Sequence, residues 1–370
     1  MNQVHNASSA IIVGGGLIGC SIAYELSKAG IACTVIDQGA LLEEASIAAA
    51  GMLGAHVEIH HPGDFFEMCK RSRSLYASWA EELQERTGIS PQYIAQGIVR
   101  AALTEEDEQE LRSRMDWIGE DVSWLSPADL REIEHRLTED TRGGLYFAED
   151  HQIHPVYLAR ALRSAVIQLG CVIRERTPVL ELLTEGSRVY GVRTAQNEVH
   201  ADTVIIAAGA WSGSLLKPLG KQLNTFPVKG QCFSVRTGGP LLTRTAFTKG
   251  CYIVPKLDGT MLIGATQEEA GFDKKVTVEA ISKLHQTASR LIPALQQAEF
   301  VASWAGLRPG TPDGLPYLGR FDGLDGLIAA TGHYRNGILL APITGRLIRQ
   351  LICNQPLDLD LRSYSPDRSA

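Results

Sequence analysis

The chain has 370 residues, of which 44% are hydrophobic and 21% are charged, as is typical of soluble globular proteins. This length predicts two domains, or one large domain with an insertion. The formal net charge of −7 argues against nucleic acid as the main partner, because phosphate binding requires a basic face. Seven cysteines without a C-x-x-C pair predict reduced thiols and a cytoplasmic protein with no zinc site.

The ends of the chain predict no targeting segment. The first ten residues lack the basic region of a signal peptide. No apolar run approaches the roughly 18 residues that cross a bilayer, so no membrane span is predicted. The last six residues, SPDRSA, are predicted to form a frayed tail. The histidines, three of which stand close together in 56–61, do not favour a metal site, and none is predicted.

The first forty residues predict a β-α-β unit. Residues 10–13 form a short apolar run, 21–30 have helical spacing and end in glycine, and 32–37 form a second apolar run that ends in an acid. A glycine-rich turn, GGGLIG, joins the first run to the helix. A strand, a glycine turn, a helix and a second strand in this order are typical of a nucleotide-binding α/β domain.

The glycine turn contains the pattern G-x-G-x-x-G, formed by Gly14, Gly16 and Gly19. The first glycine permits the tight turn, the second lets a pyrophosphate approach the backbone, and the third lets helix and strand pack closely. Asp37 ends the next strand, where its carboxylate can accept hydrogen bonds from both ribose hydroxyls. An acid there favours FAD or NAD over NADP, whose 2′-phosphate it would repel.

The middle of the chain predicts helices interleaved with strands. Residues 64–90 have helical spacing, and two later helices begin at the caps Thr104 and Ser126. An amphipathic helix is predicted over 156–170, followed by strands. The apolar run 203–210 predicts a second parallel strand that closes on glycine. The remaining predicted elements are antiparallel strands in 226–237, 251–266 and 298–304, a helix in 276–295, and a strand, glycine turn and helix in 325–352.

Three segments favour FAD over NAD. The stretch 43–53 is rich in small residues, so its backbone can run close to a flat ring system. The strand end 205–211, IIAAGAW, faces the first glycine motif, and 330–345 is a glycine turn whose following helix offers N-terminal amides to flavin oxygens. Ordinary tight α/β connections, or a NAD-dependent dehydrogenase, remain the alternatives at this point.

Arg308 stands in a segment, WAGLRPGTPDGLPYLG, that otherwise looks built for burial. A buried guanidinium remains protonated and is costly unless an anion meets it. Asp313 or another carboxylate of the protein could be that anion, and so could the carboxylate of a ligand. The planar guanidinium can take either kind of carboxylate through two parallel hydrogen bonds, so both interpretations stay open at this point.

Several motifs together resemble one family of flavoproteins. These are SIAAAGMLG, VKGQC, CYIVP, GLRPGTPDGLPYLG and GHYRNGILLAP, at 46–54, 228–232, 251–255, 306–319 and 332–342. They are similar to the glycine oxidase family of the thiamine-biosynthesis type, within the D-amino-acid oxidase and sarcosine oxidase group. The resemblance runs nearly from end to end, and the last two motifs are its most specific part.

The resemblance implies an α/β fold in which a Rossmann-like FAD-binding domain is interrupted by an α+β substrate domain with a large antiparallel sheet. The FAD-binding domain would comprise 1–85, 146–220 and 303–370, and the substrate domain 86–145 and 221–302. FAD would be non-covalent, because the segment where covalent relatives carry a flavin-linked cysteine reads Gly-Leu-Arg here, at 306–308.

The resemblance also implies an activity. Glycine, and more weakly sarcosine and small D-amino acids, would lose a hydride from Cα to flavin N5, with O2 as acceptor. The imine would hydrolyse to glyoxylate and ammonia, with hydrogen peroxide as the other product. The enzyme would be a homotetramer serving thiazole synthesis. A flavin-dependent D-amino-acid or proline dehydrogenase that passes electrons to a quinone or carrier is the main alternative, and an inactive flavin-binding subunit is another.

The resemblance assigns roles to particular residues. Arg308 would pair with the substrate carboxylate, Tyr252 would border it, and Arg335 would lie near it at the flavin edge. Met52 and Gln267 would line the small pocket, although the family leads us to expect an apolar residue in place of Gln267. The residues implied in FAD binding are Gly14, Gly16, Leu17, Ile18, Gly19, Asp37, Gln38, Ala45, Ser46, Ala50, Gly51, Met52, Val179, Gly209, His333, Tyr334, Arg335, Asn336, Gly337, Ile338 and Leu339.

Overall fold

Two large β-sheets organise the protein. A computed structural model describes residues 8–119 and 121–368, so the predicted start of the first domain, 1–7, and the last two residues of the tail lie outside the described residues. Nine strands form one sheet and eight form the other, over the described part of the chain. Within those same ranges, no helix combines the length and the apolar character that a membrane crossing requires.

The helices follow the predicted spacing closely. Thr104 and Ser126 each cap a helix through a reciprocal capping box, as the sequence predicts. The helices of the described residues are α1 (Leu17–Lys28), α2 (Glu44–Ala48), α3 (Asp64–Ser74), α4 (Tyr76–Thr87), α5 (Glu105–Ile118), α6 (Pro127–Ile133), α7 (Pro155–Gln168), α8 (Val278–Leu291) and α9 (Gly337–Ile352).

The strands divide between the two sheets and a short antiparallel pair. They are β1 (Ser9–Val13), β2 (Ala32–Ile36), β3 (Met52–Leu53), β4 (Ile98–Ala101), β5 (Val122–Leu125), β6 (Gly144–Phe147), β7 (His151–Gln152), β8 (Val172–Arg174), β9 (Val179–Glu185), β10 (Arg188–Thr194), β11 (Glu198–His200), β12 (Thr203–Ile206), β13 (Phe226–Arg236), β14 (Thr245–Thr248), β15 (Cys251–Pro255), β16 (Thr260–Gly264), β17 (Glu299–Gly310), β18 (Tyr317–Phe321) and β19 (Leu324–Thr331).

The first sheet is the nucleotide-binding one. Its order is β11-β10-β19-β12-β1-β2-β8, with β9 beside β10 and β18 beside β19. The strands from β19 to β8 in this order run parallel, and Ile12 pairs with Val35 on one side and Ile205 on the other. Such buried parallel strands are continuous apolar runs because both faces of the sheet are covered. Ile12 packs in a cluster with residues of α1, α7 and α9, whereas Ile11 packs in a second cluster with residues of β9, β10 and β18. The predicted parallel neighbour of the first strand, in 203–210, is confirmed.

The second sheet has the order β17-β13-β16-β15-β14-β4-β6-β5. Its pairs are antiparallel except for β4 and β14, which run parallel, so the predicted antiparallel sheet contains one parallel joint. The domain boundaries predicted at 145/146 and 302/303 fall inside β6 and β17, and the division of the chain into two domains stays a prediction. β17 pairs with β13 along its whole length, so the predicted boundary at 302/303 would divide a continuously paired strand.

The predicted frayed tail is wrong up to residue 368. The guanidinium of Arg368 donates to both carboxylate oxygens of Asp313, at 2.7 and 3.0 Å, and to the carbonyls of Leu315 and Pro316. It also lies 3.9 Å from the centre of the Tyr317 ring. Arg368 thus fixes the end of the described chain to the segment that follows β17.

Candidate active site

A large cavity opens between the two sheets. It is lined by residues just beyond the carboxyl ends of β1, β2, β12 and β19, and by side chains of β13, β15 and β17 in the second sheet. Its empty volume, open mouth included, is about 1830 Å³. A crevice at the carboxyl ends of parallel strands is where α/β sheets of this type bind their ligands.

The glycine motif forms one wall of the cavity. Gly14 has φ +106°, and a Cβ atom there would lie 2.4 Å from the carbonyl oxygen of Ala207. A Cβ on Gly19 would lie 1.9 Å from the carbonyl oxygen of Gly14, which reflects the close packing of α1 on β1. Gly16, in contrast, borders open space, with only the Ser46 hydroxyl 3.5 Å away. The backbone is thus bare where a pyrophosphate would approach the start of α1.

Asp37 lies at the end of β2 and also lines the cavity. One carboxylate oxygen accepts from the Gly15 amide at 2.6 Å and the other from the Gly39 amide at 2.7 Å. A carboxylate offers about four lone-pair positions, so both oxygens retain capacity for ribose hydroxyls. These residues fit a dinucleotide with free ribose hydroxyls, such as FAD.

Most of the residues implied in cofactor binding line this one cavity. The exceptions are Gly19 and Leu339. Gly19 packs against the backbone of the glycine turn, and Leu339 is 1% exposed and lies in the apolar core of the protein. The lining residues among those predicted are Gly14, Gly16, Leu17, Ile18, Asp37, Gln38, Ala45, Ser46, Ala50, Gly51, Met52, Val179, Gly209, His333, Tyr334, Arg335, Asn336, Gly337 and Ile338.

Gln267 is not one of the lining residues, and its predicted place in the pocket is corrected. It lies three residues beyond the end of β16, and it is exposed. Met52 does line the cavity, and it also packs against the apolar cluster beneath the second sheet. Met52 therefore contributes both to the cavity wall and to the apolar core.

Arg308 reaches the cavity from β17. One of its terminal nitrogens donates to the carbonyl oxygen of Thr266 at 3.0 Å, and the guanidinium lies directly over Gly230 of the neighbouring strand. Asp313, the alternative partner suggested by the sequence, is instead held by Arg368. Within the described residues, no carboxylate lies within 4.0 Å of Arg308, so its charge faces the cavity with only a neutral carbonyl as partner.

Tyr252 reaches the cavity from β15, which two strands separate from β17, and it interacts electrostatically with Arg308. It is 7% exposed, and its hydroxyl lies 3.6 Å from the Cys232 sulfur. Burial holds the pKa of Tyr252 well above its usual range, so the hydroxyl is a neutral donor at physiological pH. Arg308 and Tyr252 therefore present a guanidinium and a hydroxyl to the same part of the cavity.

Arg335 also lines the cavity, but its charge is already matched. Its guanidinium donates to both carboxylate oxygens of Glu58, at 2.8 and 3.0 Å. Burial opposes ionisation of Glu58, but the adjacent guanidinium of Arg335 outweighs burial and lowers the pKa of this carboxyl. Glu58 was not predicted as a site residue. The only local signal was an acid isolated among apolar residues and histidines in the run HVEIHH.

His333 begins the turn before α9 and lines the cavity from the cofactor side. Burial lowers its pKa to about 3, so the ring is neutral, and its Nε2 lies 3.0 Å from the Thr344 hydroxyl. The ring is thereby occupied within the protein. This arrangement engages one ring nitrogen within the protein and agrees with a structural or backbone role for His333.

The fold and the cavity define a dinucleotide-binding α/β protein whose cavity also carries the guanidinium of Arg308 on the wall formed by the second sheet. Comparison with known proteins narrows this class. The family model of the FAD dependent oxidoreductases matches residues 9–351. The chain therefore belongs to the FAD-dependent oxidoreductase family, and FAD is its cofactor.

Individual relatives are similar over nearly the whole chain. Glycine oxidase of Geobacillus kaustophilus (strain HTA426) is 41% identical over 362 residues, which are 96% of each chain. The crystal structure of glycine oxidase from Geobacillus kaustophilus aligns with a TM-score of 0.94 at 40% identity, covering 99% of this chain and 100% of that one. The bifunctional protein ThiO/ThiG of a Nostoc species is 38% identical over 97% of this chain and 55% of that protein. The resemblance deduced from the motifs is confirmed.

Proposed function

We propose that this protein is an amino-acid oxidase that uses non-covalent FAD to oxidise glycine, and more weakly sarcosine and small D-amino acids. The observation that carries the proposal is the unmatched charge of Arg308 in the cavity. A guanidinium that is partly buried and faces only a carbonyl is poorly compensated until an anion binds. An amino acid supplies that anion as its carboxylate, and the names of the relatives support glycine as the substrate.

The residues around Arg308 orient the substrate. Arg308 takes the carboxylate through two parallel charge-assisted hydrogen bonds, which fix its position as well as its plane. The Tyr252 hydroxyl donates to the same carboxylate. The Thr266 carbonyl holds the guanidinium from behind, at 3.0 Å, so the arginine is oriented before the substrate arrives. Holding the reacting atoms in one geometry is the main contribution that a protein makes to cofactor chemistry.

FAD, held along the glycine motif and Asp37, would supply the redox chemistry: it would accept a hydride from the substrate Cα and pass the electrons to O2, giving hydrogen peroxide. The imine product hydrolyses in water to glyoxylate and ammonia. Met52 and Tyr252 limit the room beside Cα, which favours substrates with small side chains. We also propose that the enzyme is a cytoplasmic homotetramer that serves thiazole synthesis, a role supported by the name of the ThiO/ThiG relative.

An anaerobic titration with glycine, followed by flavin absorbance, tests the proposal. Wild type should be bleached by glycine, while Arg308→Ala should need about 100-fold more glycine, since truncating one partner of a buried charge pair costs 2–5 kcal/mol or more. Arg193→Ala is the matched control. Arg193 is an exposed arginine that pairs with Glu181 and Glu198 on the far strands of the first sheet, and its variant should behave as wild type.

The outcomes separate the alternatives. If glycine leaves the flavin oxidised while D-proline bleaches it, the substrate proposal is wrong. If Arg308→Ala responds like wild type, Arg308 does not bind the carboxylate. Admitting air should restore the absorbance and yield one peroxide per glycine. Slow reoxidation in air with rapid turnover on an artificial quinone would instead identify a dehydrogenase.

A further inference from the structure

Glu58 gives the substrate side of the cavity an uneven distribution of charge. Two guanidinium groups, of Arg308 and Arg335, and the carboxylate of Glu58 all line it. The Glu58 carboxylate accepts two hydrogen bonds from the Arg335 guanidinium, at 2.8 and 3.0 Å. The side chain of Glu58 is 11% exposed. The three groups together carry one net positive charge. Glu58 is paired directly with Arg335, and it attracts Arg308 only over a longer distance. One free positive charge matches one carboxylate.

Glu58 is held in place by a buried acid below it. The carboxylate of Asp150 is fully buried and accepts from the backbone amides of His56 and Val57, at 3.0 and 2.7 Å. Arg73 balances the charge of Asp150 at 2.7 Å. A carboxylate with two backbone amides and an arginine has its hydrogen-bonding capacity largely filled. It therefore fixes the backbone immediately before Glu58.

A buried arginine fixes the other side of the same loop. Arg114, 4% exposed on α5, donates to the carbonyl oxygens of His56 and Ile59, at 2.6 and 2.8 Å. The loop is thus tied on its amide side by Asp150 and on its carbonyl side by Arg114. Glu58 projects into the cavity from a backbone that two buried charges hold, so its position is built into the fold rather than left to a free surface loop.

We infer that Glu58 is a specificity-determining residue that restricts the site to substrates with a single anionic group, because it occupies Arg335 and opposes a second negative charge. The inference rests on the proposed function, since it assumes that Arg308 binds a carboxylate. A second carboxylate would have to displace Glu58 from its paired arginine or lie against a like charge, and like charges brought together are strongly unfavourable. Removing the charge of Glu58 would release Arg335 to bind a second anion.

Binding of acetate and malonate to the oxidised holoenzyme tests this inference, with the change in flavin absorbance as readout. In wild type, malonate should bind no more tightly than acetate. In Glu58→Gln, the Kd for malonate should fall at least tenfold, which corresponds to about 1.4 kcal/mol, while the Kd for acetate changes less than threefold. Glu58→Asp keeps the charge and should keep the wild-type preference. The ratio of kcat/KM for D-aspartate to that for glycine should rise in parallel in Glu58→Gln.

Glu110→Gln is the matched control, because Glu110 pairs with Arg100 at 2.9 Å outside the cavity lining. It should leave both Kd values unchanged. The inference is overturned if wild type binds malonate tenfold more tightly than acetate, or if Glu58→Gln changes both ligands equally, as a purely structural residue would. If Glu58→Gln is purified without FAD, the Kd values of malonate and acetate for wild type and for Glu58→Asp still test the inference. Normal acetate binding without glycine oxidation would refute the proposed function and not this inference.

Discussion

Replacing Gly230 by alanine should displace the arginine that we assign to the substrate carboxylate, without disturbing the sheet. Gly230 lies in β13, opposite Gly306 of β17. A Cβ atom on it would lie 2.3 and 2.4 Å from the two terminal nitrogens of Arg308, whereas ordinary contacts begin at 3.4 Å. The guanidinium must therefore move by about 1 Å. Gly230 is not among the glycines with positive φ, so alanine fits its backbone.

The expected loss follows from that displacement. A misplacement of about 1 Å in an oriented site can reduce the rate about 100-fold. We expect kcat/KM for glycine to fall roughly 10- to 100-fold, a loss of about 1.4 to 2.7 kcal/mol in transition-state binding. The Kd for acetate should rise with it. The clash involves the far end of a flexible side chain, so the free energy of unfolding should change by no more than about 0.5 kcal/mol.

Steady-state peroxide formation, acetate binding and thermal unfolding measure these three quantities. Gly238→Ala is the control, because nothing lies within 4 Å of a Cβ there and its φ is not positive. In the background of Arg308→Ala, Gly230→Ala should have little further effect, because residues that act through one contact are not additive. An unchanged acetate Kd in Gly230→Ala, or full additivity with Arg308→Ala, would refute the assignment of the carboxylate to Arg308.

Three further predictions concern the cofactor wall, a buried lysine and the thiols. Gly14→Ala should yield protein without FAD, because its Cβ would meet the Ala207 carbonyl at 2.4 Å and its φ is +106°; absorbance near the flavin bands of the purified protein checks this. Lys256 donates to the Ala50 carbonyl at 2.7 Å, and burial lowers its pKa to about 7. Above that pH the folded state releases a proton that the unfolded state keeps, so the free energy of unfolding should rise between pH 7 and 10, by at most ~1.4 kcal/mol per pH unit. Lys256→Met should lose this rise in denaturant titrations. Six of the seven cysteines are buried, so a thiol reagent should modify Cys353 in the native protein and all seven after unfolding; rapid modification of several thiols in the native protein would contradict the packing.

The sequence by itself determined the local architecture. The apolar runs, the glycine turn and the helical spacing of 10–37 specify a β-α-β unit because strand and helix periodicities differ and glycine marks the turn between them. The same reasoning placed the second glycine turn, in 330–345, and the strand in 203–210. Arg308 was also recognisable, because a cation among residues suited to burial requires a partner. Its partner was not recognisable.

Tertiary structure alone decided which charges meet. Glu58 and Arg335 are 277 positions apart, and Asp313 pairs with Arg368 rather than with Arg308 five positions away. Gly230 lies under Arg308 only because β13 and β17 pair in one register. Periodicity predicts which face of an element is buried, but it does not specify strand order or register. Contacts between distant side chains depend on both, so the free charge in the cavity is set by the assembled sheets.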